Sequence, residues 1–126
     1  MRFPVSIIAV LLLCAPVTQV AVADDASQKL VQQRIWFQQA RVALNKHNME
    51  RFDHLKSKLE DYPLTPYLDI WHARISMQQG ADARVEKTLA MYADVPESRS
   101  LRRAWINELA KRKKWAQISS IFAQHP

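Results

Sequence analysis

Tryptophan and proline recur along this chain at intervals of about 34 residues. The three tryptophans concerned, Trp36, Trp71 and Trp105, are almost evenly spaced. A proline follows each of them, with a large apolar residue four positions before it: Pro63, Pro96 and Pro126, preceded by Leu59, Tyr92 and Phe122. A period of this length, with tryptophan in one helix and proline after the next, is typical of stacked helix-turn-helix repeats. We therefore predict an all-α fold, an α-superhelix of stacked helix-turn-helix pairs that forms a TPR-like solenoid segment.

The spacing of apolar residues divides the chain into three helical hairpins. The first consists of SQKLVQQRIWFQQARVALNKH, with Ser27 as its N-cap, and MERFDHLKSKLEDY, with a turn at residues 46–48. The second consists of PYLDIWHARISMQQ and ADARVEKTLAMYADV, which turn at Gly80, the single glycine, and run to Pro96. The third consists of SRSLRRAWINELAKRK and KWAQISSIFAQH, with a turn near Lys113. One glycine also disfavours sheet folds, because tight β-turns need it.

The stretch DYPLTPYLDIW joins the first hairpin to the second. Pro63 is predicted to end the preceding helix, and Thr65 to cap the next one, with a proline at its first helical position. Tyr67 and Trp71 then lie four residues apart on one helix face. Two interpretations stay open for these rings and for Tyr62. The pattern favours packing within the fold, and the alternative is stacking on a sugar.

The first residues, MRFPVSIIAVLLLCAPVTQVAVADD, have the organisation of a secretory signal peptide. Arg2 supplies a basic start, a short apolar run follows, and alanines at positions 21 and 23 form a small-x-small cleavage pattern. We predict cleavage after Ala23, with 1–23 as the signal peptide and 24–126 as the N-terminal part of an α-superhelical domain. The apolar run is too short to span a bilayer, so no stable membrane insertion is expected.

The one cysteine bears on the cellular compartment. Cys14 follows Leu13, whereas a lipid-modified cysteine needs a small residue before it. Cleavage after Ala23 leaves no cysteine in the processed chain, so an exported protein would contain no disulfide. That composition fits a bacterial periplasm better than a disulfide-rich extracellular setting. We therefore predict a periplasmic protein.

Basic residues outnumber acidic ones. Without Arg2 the chain holds 17 basic and 12 acidic residues, a formal net charge of +5. Nucleic acid is not the usual partner of an exported protein, so the candidate partners are anionic wall polymers, peptide carboxylates or lipid headgroups, and the plain alternative is a charged surface kept for solubility. The densest basic run is Lys111, Arg112, Lys113 and Lys114. Cations there complement the C-terminal end of a helix, and a contact with anionic glycan is the minority interpretation.

No catalytic, cofactor-binding or metal-binding residues are predicted. The glutamates lie on charged helical faces near lysine or arginine, which suggests solvated ion pairs rather than a glycosidase carboxyl pair: Glu50, Glu60, Glu86, Glu97 and Glu108. The histidines lack metal-ligand spacing: His47, His54, His72 and His125. No serine occupies a GxSxG motif, and one glycine cannot build a phosphate-binding loop.

Two segments carry a family resemblance. ALNKHNMERFDHLKSKLEDYPLTPYLDIW, followed by LRRAWINELAKRKKWAQI, resembles the N-terminal part of the soluble lytic murein transglycosylases of Gram-negative bacteria. The likeness extends over about residues 33–122, and the tyrosine-proline corner is its most specific part. Many members have a small or acidic turn where this chain has Lys113 and Lys114, a departure that concerns surface charge more than fold.

The resemblance implies a periplasmic enzyme of peptidoglycan turnover. Such enzymes have a long α-superhelical domain and a lysozyme-like domain, and they cleave the bond between N-acetylmuramic acid and N-acetylglucosamine without water. The family's catalytic glutamate stands in an ESxxxP motif followed by a GLMQ stretch, and neither motif occurs in these 126 residues. The resemblance therefore assigns this chain to the superhelical scaffold, without the active site.

The expected function of this chain is that of a scaffold segment. The full-length protein to which it would belong is expected to be a monomer that contacts the glycan strands of peptidoglycan. The candidate glycan-contact residues are Tyr62, Tyr67, Trp71, Lys111, Arg112, Lys113 and Lys114. Two alternatives stay open: a free-standing periplasmic adaptor that binds a protein, and an inactive truncated product. The last helix still carries apolar residues, at Trp115, Ile118, Ile121 and Phe122, where a finished repeat stack would have a polar cap. That feature favours truncation over the adaptor.

Overall fold

The computed structural model describes residues 18–125, which contain six α-helices and no strand. The helices are α1 Thr18–Asn45, α2 Met49–Ser57, α3 Thr65–Gln78, α4 Asp82–Met91, α5 Pro96–Lys111 and α6 Trp115–Gln124. They pair as three consecutive hairpins, α1 with α2, α3 with α4, and α5 with α6. The prediction of an all-α fold built from stacked helical pairs is confirmed.

The three hairpin turns are built in the same way. His47, Gly80 and Lys113 all have positive φ, at 57°, 80° and 57°. After each of them, the next backbone N–H donates to the carbonyl five residues earlier, at 2.9 Å for Asn48, 3.1 Å for Ala81 and 3.0 Å for Lys114. This hydrogen bond across a left-handed residue is the Schellman ending of a helix. The three turns predicted from the sequence are confirmed.

The structural repeat follows from the turns, which fall at the evenly spaced positions 47, 80 and 113. They define a repeat of about 33 residues, a length found in helical-hairpin arrays. Each of the three tryptophans lies in the first helix of its pair, as predicted, but their spacing leaves them slightly out of the register of the turns. In the register of the turns Trp105 corresponds to His72, Trp71 corresponds to Gln38, and Trp36 corresponds to Asp69. A tryptophan is useful wherever the space between two helices must be filled, so its recurrence near a repeat length does not establish structural equivalence.

The sequence predicted that Pro63, Pro96 and Pro126 close the second helix of each pair, but neither described proline of this set ends a helix. α2 ends at Ser57 and α4 at Met91, each several residues before the next proline. Pro96 is the first residue of α5, where its missing N–H and fixed φ are tolerated. Pro63 lies in the turn region before α3, and Pro126 lies outside the described residues.

The sequence predicted that Thr65 caps α3, and this prediction is wrong. Leu64 occupies the N-cap position, and the Thr65 hydroxyl donates instead to the backbone oxygen of Leu59 at 2.5 Å. Ser98, one repeat later, makes the matching hydrogen bond to the backbone oxygen of Tyr92 at 2.6 Å. Each hydroxyl adds a second hydrogen bond to a carbonyl that lies just after a second helix and that also accepts from a backbone N–H three residues later, so it ties the end of one hairpin to the start of the next.

The first helix begins earlier than predicted. α1 starts at Thr18, so Ser27 lies inside the helix and is not its N-cap. Every side chain from 22 to 32 is exposed, and Gln33 is the first buried residue among the side chains that the structure describes. The predicted cleavage point after Ala23 falls in this exposed stretch and stays a prediction. The apolar run of the predicted signal peptide lies outside the described residues, and none of the helices within 18–125 has the length and hydropathy needed to span a bilayer.

Two apolar clusters form the core, and α3 contributes to both. The first joins α1, α2 and α3: Phe37, Ala40, Ala43, Leu44, Phe52, Leu55, Leu59, Tyr62 and Leu68. The second joins α3 to α6: Ile70, Ala73, Met77, Val85, Leu89, Leu101, Trp105, Leu109, Ile118 and Ile121. Of the apolar residues of α6, two are buried in this cluster, while Trp115 and Phe122 are 60% and 57% exposed.

Candidate functional site

The three aromatic residues predicted at the corner lie around α1. The ring of Phe37 stands 5.5 Å from that of Tyr62 and 5.9 Å from that of Trp71, and Tyr67 and Trp71 are 6.2 Å apart. These tilted pairs at such distances each contribute about 0.5–1.5 kcal/mol beyond buried area. Tyr62 is only 8% exposed, so its ring is part of the core. The predicted packing of Tyr67 and Trp71 on one helix face is confirmed.

Trp71 is half-buried and keeps part of its surface open. The guanidinium carbon of Arg41 lies 5.1 Å from the centre of its ring, within the range of a cation-π contact. Beside them is a shallow groove of about 210 Å³, lined by Arg41, Asn45, Trp71, Arg74 and Ile75. An aromatic face beside two guanidinium groups and an amide suits a polar ligand with sugar rings and carboxylates. Contact with glycan at Tyr62, Tyr67 or Trp71 stays a prediction.

No pattern in the sequence indicated the part played by Arg41 and Asn45, because they lie on α1 and only the packing of α1 on α3 brings them next to Trp71. Arg74 lies on α3 itself, three residues after Trp71, so helix spacing alone places it beside that ring. Arg74 is further held by hydrogen bonds to Glu97 at 3.1 Å and to Ser100 at 3.0 Å, both on α5.

The basic run is divided between structure and surface. Both terminal nitrogens of Arg112 donate to the carboxylate of Asp82, at 2.9 Å and 2.6 Å, and Lys114 lies 3.3 Å from it. Lys111 pairs with Glu108 at 3.2 Å on the same helix. Lys113 forms the exposed left-handed turn and makes no ion pair with a described residue. Of this run, Lys111 lies in the last turn of α5. The expectation that the run complements that helix end, like its role in glycan contact, stays a prediction.

Asp82 is the centre of the joint between the second and third hairpins. Besides Arg112 and Lys114, the indole N–H of Trp105 donates to its carboxylate at 2.9 Å. The hydrogen bonds from Arg112, and then those from Trp105 and Lys114, hold the pKa of Asp82 well below its ordinary value despite its burial. Asp82 also raises the pKa of Arg112. An acidic residue in the first turn of α4 was visible in the sequence, but its partners far along the chain were not.

Asp69 has a similar position at the joint between the first and second hairpins. It accepts hydrogen bonds from the ammonium of Lys56 and from the hydroxyl of Tyr92, the latter at 2.5 Å. Burial, and then the hydrogen bond to Asp69, raise the pKa of Tyr92 to about 12. This network therefore ties α2, α3 and the end of α4 together.

The described histidines and carboxylates do not assemble into a metal site, since no group of three or more could hold an ion among residues 18–125. His72 is half-buried, with its ring 5.1 Å from that of Phe52 and its Nδ1 3.3 Å from Arg84. Burial, and then the charge of Arg84, lower the pKa of His72, so the neutral ring accepts a hydrogen bond from Arg84. His47, His54 and His125 are exposed.

Comparison with curated proteins identifies the sequence neighbours of this chain. It is 27% identical over 110 residues to the soluble lytic murein transglycosylase of Escherichia coli strain K12, and 25% identical over 100 residues to that of Salmonella typhimurium strain LT2. These alignments cover 87% and 79% of this chain. The chain is similar to the soluble lytic murein transglycosylases. The resemblance inferred from its segments is therefore confirmed.

The similarity concerns a small part of the transglycosylases. The chain spans 16% of the length of each of these curated relatives. No protein-family model matches the chain, and no solved structure matches it. The activity of a complete transglycosylase can therefore be related to this chain only by proposal.

Proposed function

We propose that this chain is the N-terminal scaffold segment of a periplasmic peptidoglycan lytic transglycosylase, and that it contacts glycan strands without carrying out the cleavage. The observation that supports this proposal is the similarity to murein transglycosylases over 87% of the chain but only 16% of the relative. The stacked hairpins provide a suitable scaffold. The absence of an ESxxxP motif from these 126 residues leaves the catalytic step outside the proposal.

The contact surface that we propose is the groove beside Trp71. Its aromatic ring offers a face to a sugar, while Arg41 offers charge to the carboxylates of murein peptides and Arg74, paired with Glu97, forms the edge of the groove. Tyr67, four residues before Trp71, extends the aromatic surface. Tyr62 supports this surface from below, since it is buried against Phe37.

Export to the periplasm is part of the proposal. Within residues 1–23, the side chains that the structure describes are those at 22 and 23, and both are exposed. The folded core, which begins at Gln33, is then compatible with cleavage.

Co-sedimentation of the full chain with purified murein sacculi tests the proposed contact. We expect Trp71→Leu to reduce the bound fraction several-fold, because the substitution removes the aromatic face. Trp36→Leu is the matched control, since Trp36 is also half-buried and also lies beneath a cation, 5.2 Å from Lys58. Equal binding by both variants, or no binding by the unmodified protein, would contradict the proposal.

A periplasmic adaptor for another protein is the second candidate. Its contact surface would be the exposed rings on α6, Trp115 and Phe122, which an unfinished repeat stack explains equally well. Exposed apolar patches on a folded protein often mark protein contacts. An adaptor would keep its partner when Trp71 is replaced and would lose it when Trp115 and Phe122 are both replaced by serine.

A further inference from the structure

Two grooves in this molecule are related by the helical repeat. The first, the Asp69 groove, lies between α2 and α4 above α3 and has a volume of about 390 Å³. The second, the Arg102 groove, lies between α4 and α6 above α5 and has a volume of about 360 Å³. Asp69 and Arg102 are one repeat apart and occupy the same place in the two grooves. Comparison of the two grooves therefore shows what each repeat has changed.

The Asp69 groove is neutralised from within. The carboxylate of Asp69 accepts from Lys56 and from Tyr92. Arg84 and Lys87 also line this groove. The central anion thus has its partners inside the protein.

The Arg102 groove has a different set of neighbours around its central charge. One repeat after Lys56 and Tyr92 stand Leu89 and His125. Neither of these side chains is an anion that could pair with Arg102. The repeat has therefore exchanged the central anion for a cation without supplying the opposite charge at the matching positions.

The guanidinium of Arg102 lacks partners among the described residues. Its Nε atom is buried and makes no hydrogen bond to them, and no ion pair between described side chains includes it. The Nε of Arg112 is also without a partner, but the terminal nitrogens of Arg112 hold Asp82. Glu86 lines the Arg102 groove without forming an ion pair with Arg102. The terminal nitrogens of Arg102 are not among the buried atoms and also make no ion pair with a described side chain, so an anion supplied from outside would pair favourably with them.

The walls of the Arg102 groove indicate what kind of anion would fit. Gln117, Ser120 and Gln124 on α6 line one side, and their amides and hydroxyl can both donate and accept hydrogen bonds. Leu89 and Ile121 provide an apolar surface. One repeat before Gln117 and Ser120, the corresponding positions of the Asp69 groove hold Arg84 and Lys87. At these two positions the Arg102 groove has therefore exchanged flanking cations for neutral polar groups, and its lining includes one guanidinium, of Arg102, and one carboxylate, of Glu86.

We propose that the Arg102 groove binds a carboxylate-bearing ligand rich in amide groups, with Arg102 on the carboxylate and the glutamines on the amides. Guanidinium pairs with carboxylate through two parallel hydrogen bonds, which fixes the orientation of the ligand as well as attracting its charge. The cavity volume lies within the usual range for small-ligand sites, about 300–1,000 Å³. Resting on the proposed function, the ligand class is a muramyl peptide, whose acetamido group, peptide amides and carboxylates match these walls.

Titration calorimetry of the full chain with N-acetylmuramyl-alanyl-glutamate tests this site. We expect Arg102→Gln to weaken binding at least tenfold and Arg102→Lys to weaken it less, because lysine keeps the charge but loses the paired hydrogen bonds. Arg103→Gln is the matched control, since Arg103 is exposed, lies next in sequence and does not line the groove. Thermal unfolding of each variant separates loss of binding from loss of fold. Equal affinities for Arg102→Gln and the unmodified protein would overturn the proposal.

Further measurements test which groups of the ligand are recognised and distinguish a failure of this site from a failure of the proposed function. The probe with both carboxylates amidated should bind at least tenfold more weakly, and glutarate should bind more weakly than the muramyl peptide because it lacks amides. Nitrogen-edited spectra should show the side-chain amides of Gln117 and Gln124 shifting with the muramyl peptide. Binding to sacculi without binding of the soluble probe would overturn the Arg102 site and leave the proposed function standing. Binding of the probe without binding to sacculi would do the reverse.

Discussion

Replacement of Tyr92 by phenylalanine tests the joint between the first two hairpins. The substitution keeps the ring and removes one hydroxyl, which donates to Asp69 at 2.5 Å. Hydrogen bonds to charged groups contribute about 1.5–3 kcal/mol. The rise in the pKa of Tyr92 to about 12 has burial as its largest cause and the hydrogen bond to Asp69 as its second, so the hydrogen-bond range, and not the shift, sets the expected magnitude. Because Tyr92 is partly exposed, solvent screening reduces this contribution, and we expect a loss of about 1–2 kcal/mol.

The same substitution has a defined dependence on pH. The folded state holds the phenolic proton more tightly than the unfolded chain, so the stabilisation is fully present below pH 10 and is lost as pH rises towards 12. Urea unfolding followed by circular dichroism should therefore show a difference between the unmodified protein and Tyr92→Phe that is largest at pH 8 and smaller at pH 11.

Tyr67→Phe is the control for that experiment, because the Tyr67 ring packs on Trp71 while its hydroxyl makes no hydrogen bond to a described residue. A free-energy difference below about 0.5 kcal/mol for Tyr92→Phe, the scatter typical of surface substitutions, would refute the reasoning. So would a difference that does not change between pH 8 and pH 11.

Three other substitutions test separate features of the fold. Phe52→Ala removes a fully buried ring and should cost about 3–5 kcal/mol in urea unfolding, whereas Phe122→Ala, at an exposed position, should cost less than about 1 kcal/mol; equal costs would contradict the assignment of the core. Gly80→Ala should destabilise by about 1 kcal/mol because of its positive φ, and Lys113→Gly, at the equivalent turn, should raise the thermal midpoint; a fall would contradict the left-handed geometry. Asp82→Asn should make the free energy of unfolding depend less on pH in acid, because the lowered pKa of Asp82 gives stability that is present above about pH 4 and lost as pH falls below that value. An unchanged dependence on pH in this range would contradict the assignment.

The turns were predictable from sequence because helix breaks have local causes. The only glycine, at position 80, adopts the left-handed conformation that glycine tolerates best, and the other two turns follow from breaks in apolar periodicity. The helix boundaries could be predicted less well from the sequence. A proline marks a break without telling whether it ends one helix or begins the next, so Pro96 was placed at the wrong end of its break.

The repeat register and the polar joints could not be obtained from local patterns. Three tryptophans near a common spacing suggested a register that the turns at 47, 80 and 113 correct. Asp69 and Asp82 find their partners on other helices, far along the chain, so only the stacked arrangement reveals them. The same holds for Arg102, whose missing partner becomes apparent only when the two equivalent grooves are compared.

Export decides whether this chain can meet murein at all, so the first residue and the location of the native product test the account most directly. Fractionation of the native host, followed by N-terminal sequencing of the product captured with an antibody against residues 24–126, gives both. The account predicts a periplasmic polypeptide that begins at Asp24. A product that begins at Met1 and stays in the cytosol would contradict it.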